Sequence, residues 1–88
     1  MIQASVTQRG RSFSFRIDRS ESFDLVARDA AGTLLWKRRL STPYHHVTQA
    51  SIRVLEGGDV ELRAAAFHVK DDSEHVFVWR YSAEGDAR

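Results

Sequence analysis

Hydrophobic and polar residues alternate with a period of two along most of the chain. In residues 12–17, Phe13, Phe15 and Ile17 fall on one face, whereas the serines and the arginine between them fall on the other. Residues 2–7 alternate in the same way. Because successive side chains of a strand point to opposite faces, this pattern is typical of β-strands with one buried face.

Turns that contain glycine separate the alternating segments. Gly10, Gly32 and the pair Gly57-Gly58 each supply a residue that tolerates the positive φ of a tight hairpin turn. No window combines the length and the periodicity of an amphipathic helix. The pattern predicts an all-β fold, an antiparallel meander of about seven strands packed as a small β-sandwich or barrel. The predicted strands are residues 2–8, 12–18, 22–29, 33–40, 47–55, 59–69 and 75–82.

The sixth predicted strand departs from strict alternation. Its apolar positions change parity, from Val60 and Leu62 to Phe67 and Val69. A β-bulge among the intervening alanines would keep both pairs in the core. We therefore predict a bulge within this strand.

The last predicted strand is apolar on both faces. Val76 and Val78 lie on one face, and the aromatic residues Phe77, Trp79 and Tyr81 lie on the other. Strands buried on both sides have this composition. The sequence therefore predicts that this strand is central, or is covered by another sheet or another subunit.

The sequence also repeats itself. The segment 3–6 (QASV) recurs as 49–52 (QASI), and the Asp-x-Ser-Glu sequence of 18–21 recurs at 71–74. The two offsets, 46 and 53 residues, differ because the second copy is longer near residues 65–70. Self-similarity of this kind is typical of a duplicated structural unit. We predict a single domain that contains an internal duplication, with the domain at residues 1–88 and the repeat units at 2–40 and 48–86.

Residues 25–86 resemble the blade repeats of bacterial β-propellers. The segments that carry the resemblance are GTLLW (32–36), GGDV (57–60) and RYSAEG (80–85). The resemblance implies no catalytic residue. Since a propeller needs roughly four to eight blades, it implies an alternative architecture of two propeller-like blades completed by oligomerisation.

Composition excludes several classes of protein. The 88 residues are 42% hydrophobic and 28% charged, which is typical of a globular chain. No apolar run approaches the ~20 residues of a membrane span, so no membrane partner is expected. The chain contains no cysteine, which excludes disulfides and thiolate chemistry and fits a reducing compartment. We predict a cytoplasmic protein.

Charge is divided unevenly between the two halves of the chain. Residues 1–44 carry eight basic and four acidic side chains, whereas residues 45–88 carry five basic and eight acidic ones. Opposite potentials guide association and fix its register. The asymmetry is consistent with a solvated surface whose charges are unevenly distributed by chance, or with halves that attract each other, within one molecule or between copies.

The candidate chemical motifs do not indicate an enzyme. His68, Asp71, Asp72 and His75 bracket a predicted turn and are ligand types that suit Zn or Mn, but their spacing matches no known metal motif. The chain has no Gly-x-Ser-x-Gly elbow and no glycine-rich phosphate loop. We predict no catalytic residue, no cofactor and no metal.

The sequence predicts a non-enzymatic protein-interaction module that self-associates as a homo-oligomer or binds a protein partner. The alternative is a ligand-binding protein for carbohydrate or single-stranded nucleic acid, with exposed tryptophans and arginines as its binding surface. Nucleic acid is the less favoured partner because the C-terminal half is acidic. The predicted interface residues are Phe77, Trp79, Tyr81, Trp36, Lys37, Arg38 and Arg39.

Overall fold

A computed structural model describes residues 1–18 and 21–88. Its strands are β1 (Ile2–Gln8), β2 (Arg11–Ile17), β3 (Ser22–Arg28), β4 (Leu34–Ser41), β5 (His45–Val54), β6 (Val60–His68) and β7 (Glu74–Tyr81). The predicted all-β class with seven strands is therefore confirmed. No helix of the described part is long and apolar enough to cross a membrane. Arg19, which contributes to the basic count, and Ser20, which belongs to the repeat, lie outside the described residues.

The strands form two antiparallel sheets, and each sheet is a meander. The first sheet has the order β1-β2-β3-β4, and the second has the order β5-β6-β7. The two sheets face each other as a small sandwich, so the barrel alternative is wrong. The boundary between the sheets falls between the predicted repeat units, 2–40 and 48–86, whose origin in a duplication stays a prediction.

Side chains from the inner faces of both sheets meet in one core. Aromatic contacts join the sheets: the ring centroids of Phe23 and Trp79 lie 5.6 Å apart and those of Trp36 and Tyr81 lie 6.0 Å apart. Burial of each large apolar side chain stabilises the fold by about 1.5–3 kcal/mol. The buried core residues are Phe13, Phe15, Ile17, Phe23, Leu25, Ala27, Trp36, Leu40, Val60, Leu62 and Ala64.

The bulge predicted within the sixth strand lies on its neighbour instead. The register shifts on β5 between Val47 and Gln49, whereas β6 alternates regularly. Phe67 and Val69 are consequently 38% and 59% exposed, so the prediction that they face the core is wrong. The physical reason is that β6 pairs with a strand on each side, whereas β5 is an edge strand that can accept an extra residue without breaking two ladders.

The last strand, β7, is an edge strand and not the central strand that its composition predicts. Its aromatic side chains, Phe77, Trp79 and Tyr81, are half-buried on the inner face. Val76 and Val78 lie on the outer face and are 62% and 44% exposed. No other strand of the described residues covers this second face.

Candidate functional site

The outer face of the three-stranded sheet carries a carboxylate surrounded by three arginines. Glu61 on β6 lies opposite Arg53 on β5 and opposite Arg80 on β7. Arg63 lies two residues further along β6 and therefore on the same face. We call these four residues, Arg53, Glu61, Arg63 and Arg80, the arginine cluster.

Each arginine of the cluster donates a hydrogen bond from Nε to Glu61. Arg53 and Arg63 donate to Oε1 over 3.0 and 2.8 Å, and Arg80 donates to Oε2 over 2.7 Å. The Glu61 side chain has no exposed surface, whereas the arginine side chains are 49–61% exposed. A buried charge is costly unless it is paired and hydrogen-bonded, which these contacts achieve.

The arginines keep Glu61 ionised. Hydrogen bonds from Arg63 and Arg80 lower the pKa of Glu61 to about 2 and outweigh the opposing effect of burial. Three positive charges and one negative charge leave the cluster with a net charge of +2. The cluster is therefore a fixed cationic patch at neutral pH.

The C-terminal residues cover one end of the free edge of β7. Arg88 N donates to Arg80 O over 2.9 Å, and Ser82 N donates to Asp86 O over 2.8 Å. These bonds flank an antiparallel bridge. The C-terminal residues thus form the beginning of a fourth strand beside the last residues of β7.

The remainder of this edge is open. Arg80 O points away from β6, and alternate residues of a strand direct their backbone groups to the same side. The N–H and C=O groups of Val76 and Val78 therefore also point away from β6. Within residues 1–18 and 21–88, no strand pairs with this side of residues 74–79.

Three histidines from separate strands meet near the start of β7. The ring centroid of His45 lies 4.9 Å from that of His68, 5.0 Å from that of His75 and 5.1 Å from that of Phe77. His45 Nδ1 lies 2.7 Å from Pro43 O, and its Nε2 is buried without a hydrogen-bond partner among the described residues. The sequence pattern does not place His45 beside His68 and His75, so this contact was not expected.

The adjoining turn brings together most of the motif considered for metal binding. His68 Nδ1 lies 2.8 Å from Asp71 Oδ1, and Ser73 Oγ contacts both Asp71 and His75. The Ser73 hydroxyl bond holds the pKa of Asp71 below its usual value. Asp72 is exposed, and its backbone N–H donates to His68 O over 3.2 Å. In the described residues, no set of three or more such side chains is placed to hold a metal ion.

Trp36 and Arg38, two predicted interface residues, bind the C-terminal segment. Trp36 is only 8% exposed and donates from Nε1 to Ala83 O over 2.9 Å. Arg38 donates from Nε to Gly85 O over 2.9 Å and lies over the indole ring. The expectation that Trp36 offers an exposed stacking surface is wrong, because the residue faces inward and residues 83–85 cover it.

The other predicted interface residues form two separate groups, with Lys37 and Arg39 on β4 and the three aromatic residues on β7. Lys37 and Arg39 are exposed on the outer face of the four-stranded sheet, where Arg39 Nε lies 3.4 Å from Asp24. Trp79 is half-buried on the inner face of β7 and stacks on Phe77 with ring centroids 5.9 Å apart. Their contact with a partner stays a prediction.

Sequence reasoning missed the arginine cluster. The alternation of Val60-Glu61-Leu62-Arg63 places Glu61 and Arg63 on the outer face. Nothing in the sequence states which residues of the neighbouring strands lie opposite them. The sequence therefore shows only that the members of the cluster occupy outward-facing positions. The strand register is needed to show that they lie next to one another.

A scan against protein-family models finds no match for this chain. Searches of curated proteins and of solved structures find no match either. The propeller-blade resemblance consequently stays an expectation from the sequence. The function has to be argued from the geometry of the molecule itself.

Proposed function

We propose that this chain is a non-enzymatic protein-interaction module that associates with a second copy of itself through the free edge of β7. The observation that supports the proposal is the open edge of residues 74–79 beside exposed Val76 and Val78. An unpaired edge strand is a template on which another chain adds a strand.

The composition of β7 supports pairing rather than protection. Proteins usually guard an edge with charged residues, proline or a bulge. Residues 75–79 read HVFVW and contain none of the charged residues Lys, Arg, Asp or Glu and no proline. The register of β7 on β6 is also regular, without a bulge.

Charge favours a second copy of this chain as the occupant. Glu74 lies at the beginning of β7, and Arg80 and Arg88 lie at its other end. Two antiparallel copies of the strand, related by a twofold axis, bring each Glu74 toward the partner's Arg80, whereas Arg88 Nε lies 3.5 Å from Asp59 of its own chain. The same patch is then complementary to itself, as a twofold interface requires.

Such pairing would also complete the smaller sheet. The first meander has four strands and the second has three. The partner's β7 would pair with residues 74–79, next to the short strand that the C-terminal residues begin, and would join the two small sheets into one continuous sheet. This arrangement is related to the alternative of blades completed by oligomerisation, because a second copy supplies the missing strand.

The solution mass, from size-exclusion chromatography with light scattering, tests the proposal. We expect a mass twice that of the 10.0 kDa chain, with weaker association at high salt because the end contacts are ionic. Val76→Pro should give a monomer, because proline removes an outward N–H without removing a bond to β6. Val76→Thr is the matched control, since it keeps the N–H and the branched shape.

Two outcomes would contradict the proposal. A wild-type chain that remains monomeric throughout a concentration series has no self-association to explain. A Val76→Pro variant that is folded and still dimeric would place the contact on another surface. The folding of each variant is checked by its circular dichroism spectrum and thermal transition.

A further inference from the structure

The arginine cluster holds three guanidinium groups in fixed positions. Each Nε is bound to the buried Glu61, and Arg53 and Arg63 contact the same oxygen atom. Those two Nε atoms therefore lie within two hydrogen-bond lengths of each other. A group that is already positioned loses less conformational entropy when it binds a ligand.

The outer nitrogens of these guanidiniums are free to bind a ligand. The hydrogen bonds of Arg53, Arg63 and Arg80 to the described residues all start from Nε, so their Nη groups make none. About half of each side chain is exposed. The cluster therefore presents a set of hydrogen-bond donors on the surface of the sheet.

Neutralising Glu61 does not require three arginines. One cation balances one carboxylate, and the remaining charge of +2 consists of like charges held close together. Like charges at short distance repel each other. An anion bound over the cluster would remove this repulsion, which a purely structural role leaves in place.

We propose that the arginine cluster binds a phosphate monoester. A monoester carries about −1.5 to −2 charges at neutral pH, which matches the excess charge of the cluster, whereas a carboxylate would balance only half of it. The planar guanidinium fork matches the spacing of phosphate oxygens and binds them in pairs. Glu61 acts as the positioning residue, because it fixes the arginines without contacting the ligand.

Nuclear magnetic resonance of the arginine Nε–H groups tests the site, with O-phosphoserine as the probe and serine as the blank. We expect saturable shifts of the Arg53, Arg63 and Arg80 signals. Binding should weaken as the pH falls through the phosphate pKa of about 6, because the monoester loses one charge. Arg63→Gln should weaken binding about ten-fold or more.

Matched variants separate specific binding from general attraction. Arg28→Gln removes an exposed arginine from the outer face of the other sheet and should leave the affinity unchanged. Arg63→Lys keeps the charge without the fork and should give an intermediate loss. It also serves as the second variant if Arg63→Gln fails to fold.

The source of the phosphate is distinguished by two further probes. If a glycine-flanked phosphoserine peptide binds with the same affinity as free phosphoserine, the phosphate group alone is recognised. If the peptide binds more tightly, its backbone makes further contacts, as a protein ligand would. Tighter binding of a single-stranded oligothymidylate would overturn the proposal in favour of a phosphodiester backbone.

Two other outcomes would also overturn it. One is the absence of saturation with phosphoserine, and the other is an equal loss of affinity in Arg28→Gln and Arg63→Gln. The titration is repeated on the Val76→Pro variant. Phosphate binding by that monomer would show that the site does not depend on self-association, so the two proposals can fail separately.

Discussion

The two sheets share one core but treat charge on their outer faces differently. On the four-stranded sheet, Asp24 pairs with Arg39 over 3.4 Å, and its side chain is 30% exposed. On the three-stranded sheet, Glu61 is fully buried under three arginines. Exposed pairs contribute about 0–1 kcal/mol and can be exchanged easily, whereas a buried charge cannot lose its partners without cost. The charged pair on the four-stranded sheet can therefore be replaced at little cost, whereas the buried carboxylate on the three-stranded sheet helps to stabilise the fold.

Two of the four edge strands, β4 and β7, differ in the same direction. β4 carries the consecutive basic residues Lys37, Arg38 and Arg39, which discourage pairing with another chain. The open part of β7, residues 74–79, carries a single charged side chain, Glu74, at its beginning. This contrast between β4 and β7 is the one on which the proposed association through β7 rests.

The largest expected effect tests whether the two sheets contribute equally to the core. Leu25 on β3 and Leu62 on β6 both have 0% exposure. We expect Leu25→Ala and Leu62→Ala each to lower the free energy of unfolding by about 2–5 kcal/mol, because each leaves a cavity in the same core. Urea denaturation measures both losses. A two-step transition in either variant would show instead that the sheets unfold separately.

The next test concerns the segment that joins β7 to the four-stranded sheet. Gly85 and Gly57 have φ of +90° and +93°, but a Cβ at Gly85 would lie 2.8 Å from Trp36, whereas a Cβ at Gly57 would meet nothing within 4 Å. Gly57→Ala should cost about 1–2 kcal/mol from backbone strain alone. Gly85→Ala should cost about 1–3 kcal/mol more, because the indole has to move.

Thermal denaturation compares the two glycine variants, and tryptophan emission supplies a second measurement. We expect the emission to shift to the red in Gly85→Ala and to stay unchanged in Gly57→Ala. Equal stability losses in the two variants would contradict the close packing of Gly85 against Trp36.

The last expected effect concerns the buried charge. Glu61→Gln should lower stability at neutral pH because it removes the ionic contacts with three arginines, although water can solvate the half-exposed guanidinium groups and offset part of the loss. The pKa of Glu61 is lowered from 4.5 to about 2 in the folded chain, so protons bind the unfolded chain more tightly. The stabilisation is present above pH 4.5 and is lost as the pH falls toward 2. Glu61→Gln should flatten this acid limb of the stability curve, and Asp24→Asn supplies the comparison on the other sheet.

Thermal transitions recorded from pH 5 to about pH 2 measure this difference. An acid limb of the same steepness in wild type and Glu61→Gln would contradict the role of Glu61. A flattened limb in Asp24→Asn alone would assign the acid sensitivity to the other sheet.

The strands could be predicted because each depends on local alternation. Phe13, Phe15 and Ile17 fix the inner face of β2 whatever lies beside it. The position of β7 at an edge could not be predicted, because apolar residues such as Val76 and Val78 are compatible both with a covered strand and with an exposed edge strand. The order of the strands in the sheet decides whether β7 lies at an edge, and this order does not follow from the local sequence.

The candidate site follows the same rule. Arg53, Glu61 and Arg80 lie on three strands, and only the register of β5 and β7 on β6 brings them together. The extra residue in β5 near Val47 changes the register beyond it, although the sequence places the bulge elsewhere. A period of two therefore predicts which face a side chain occupies but not which neighbour it meets.

The bonds of Trp36 and Arg38 to the C-terminal segment have a consequence for synthesis of the chain. Each joins residues that are 47 positions apart in the sequence. At roughly 5–20 residues per second, a ribosome needs roughly 2–9 seconds after β4 to reach residue 85. During that interval the first sheet is complete but its phenylalanines have no opposing sheet. We expect chaperone binding to the nascent chain to peak in this window and to end when the second sheet emerges.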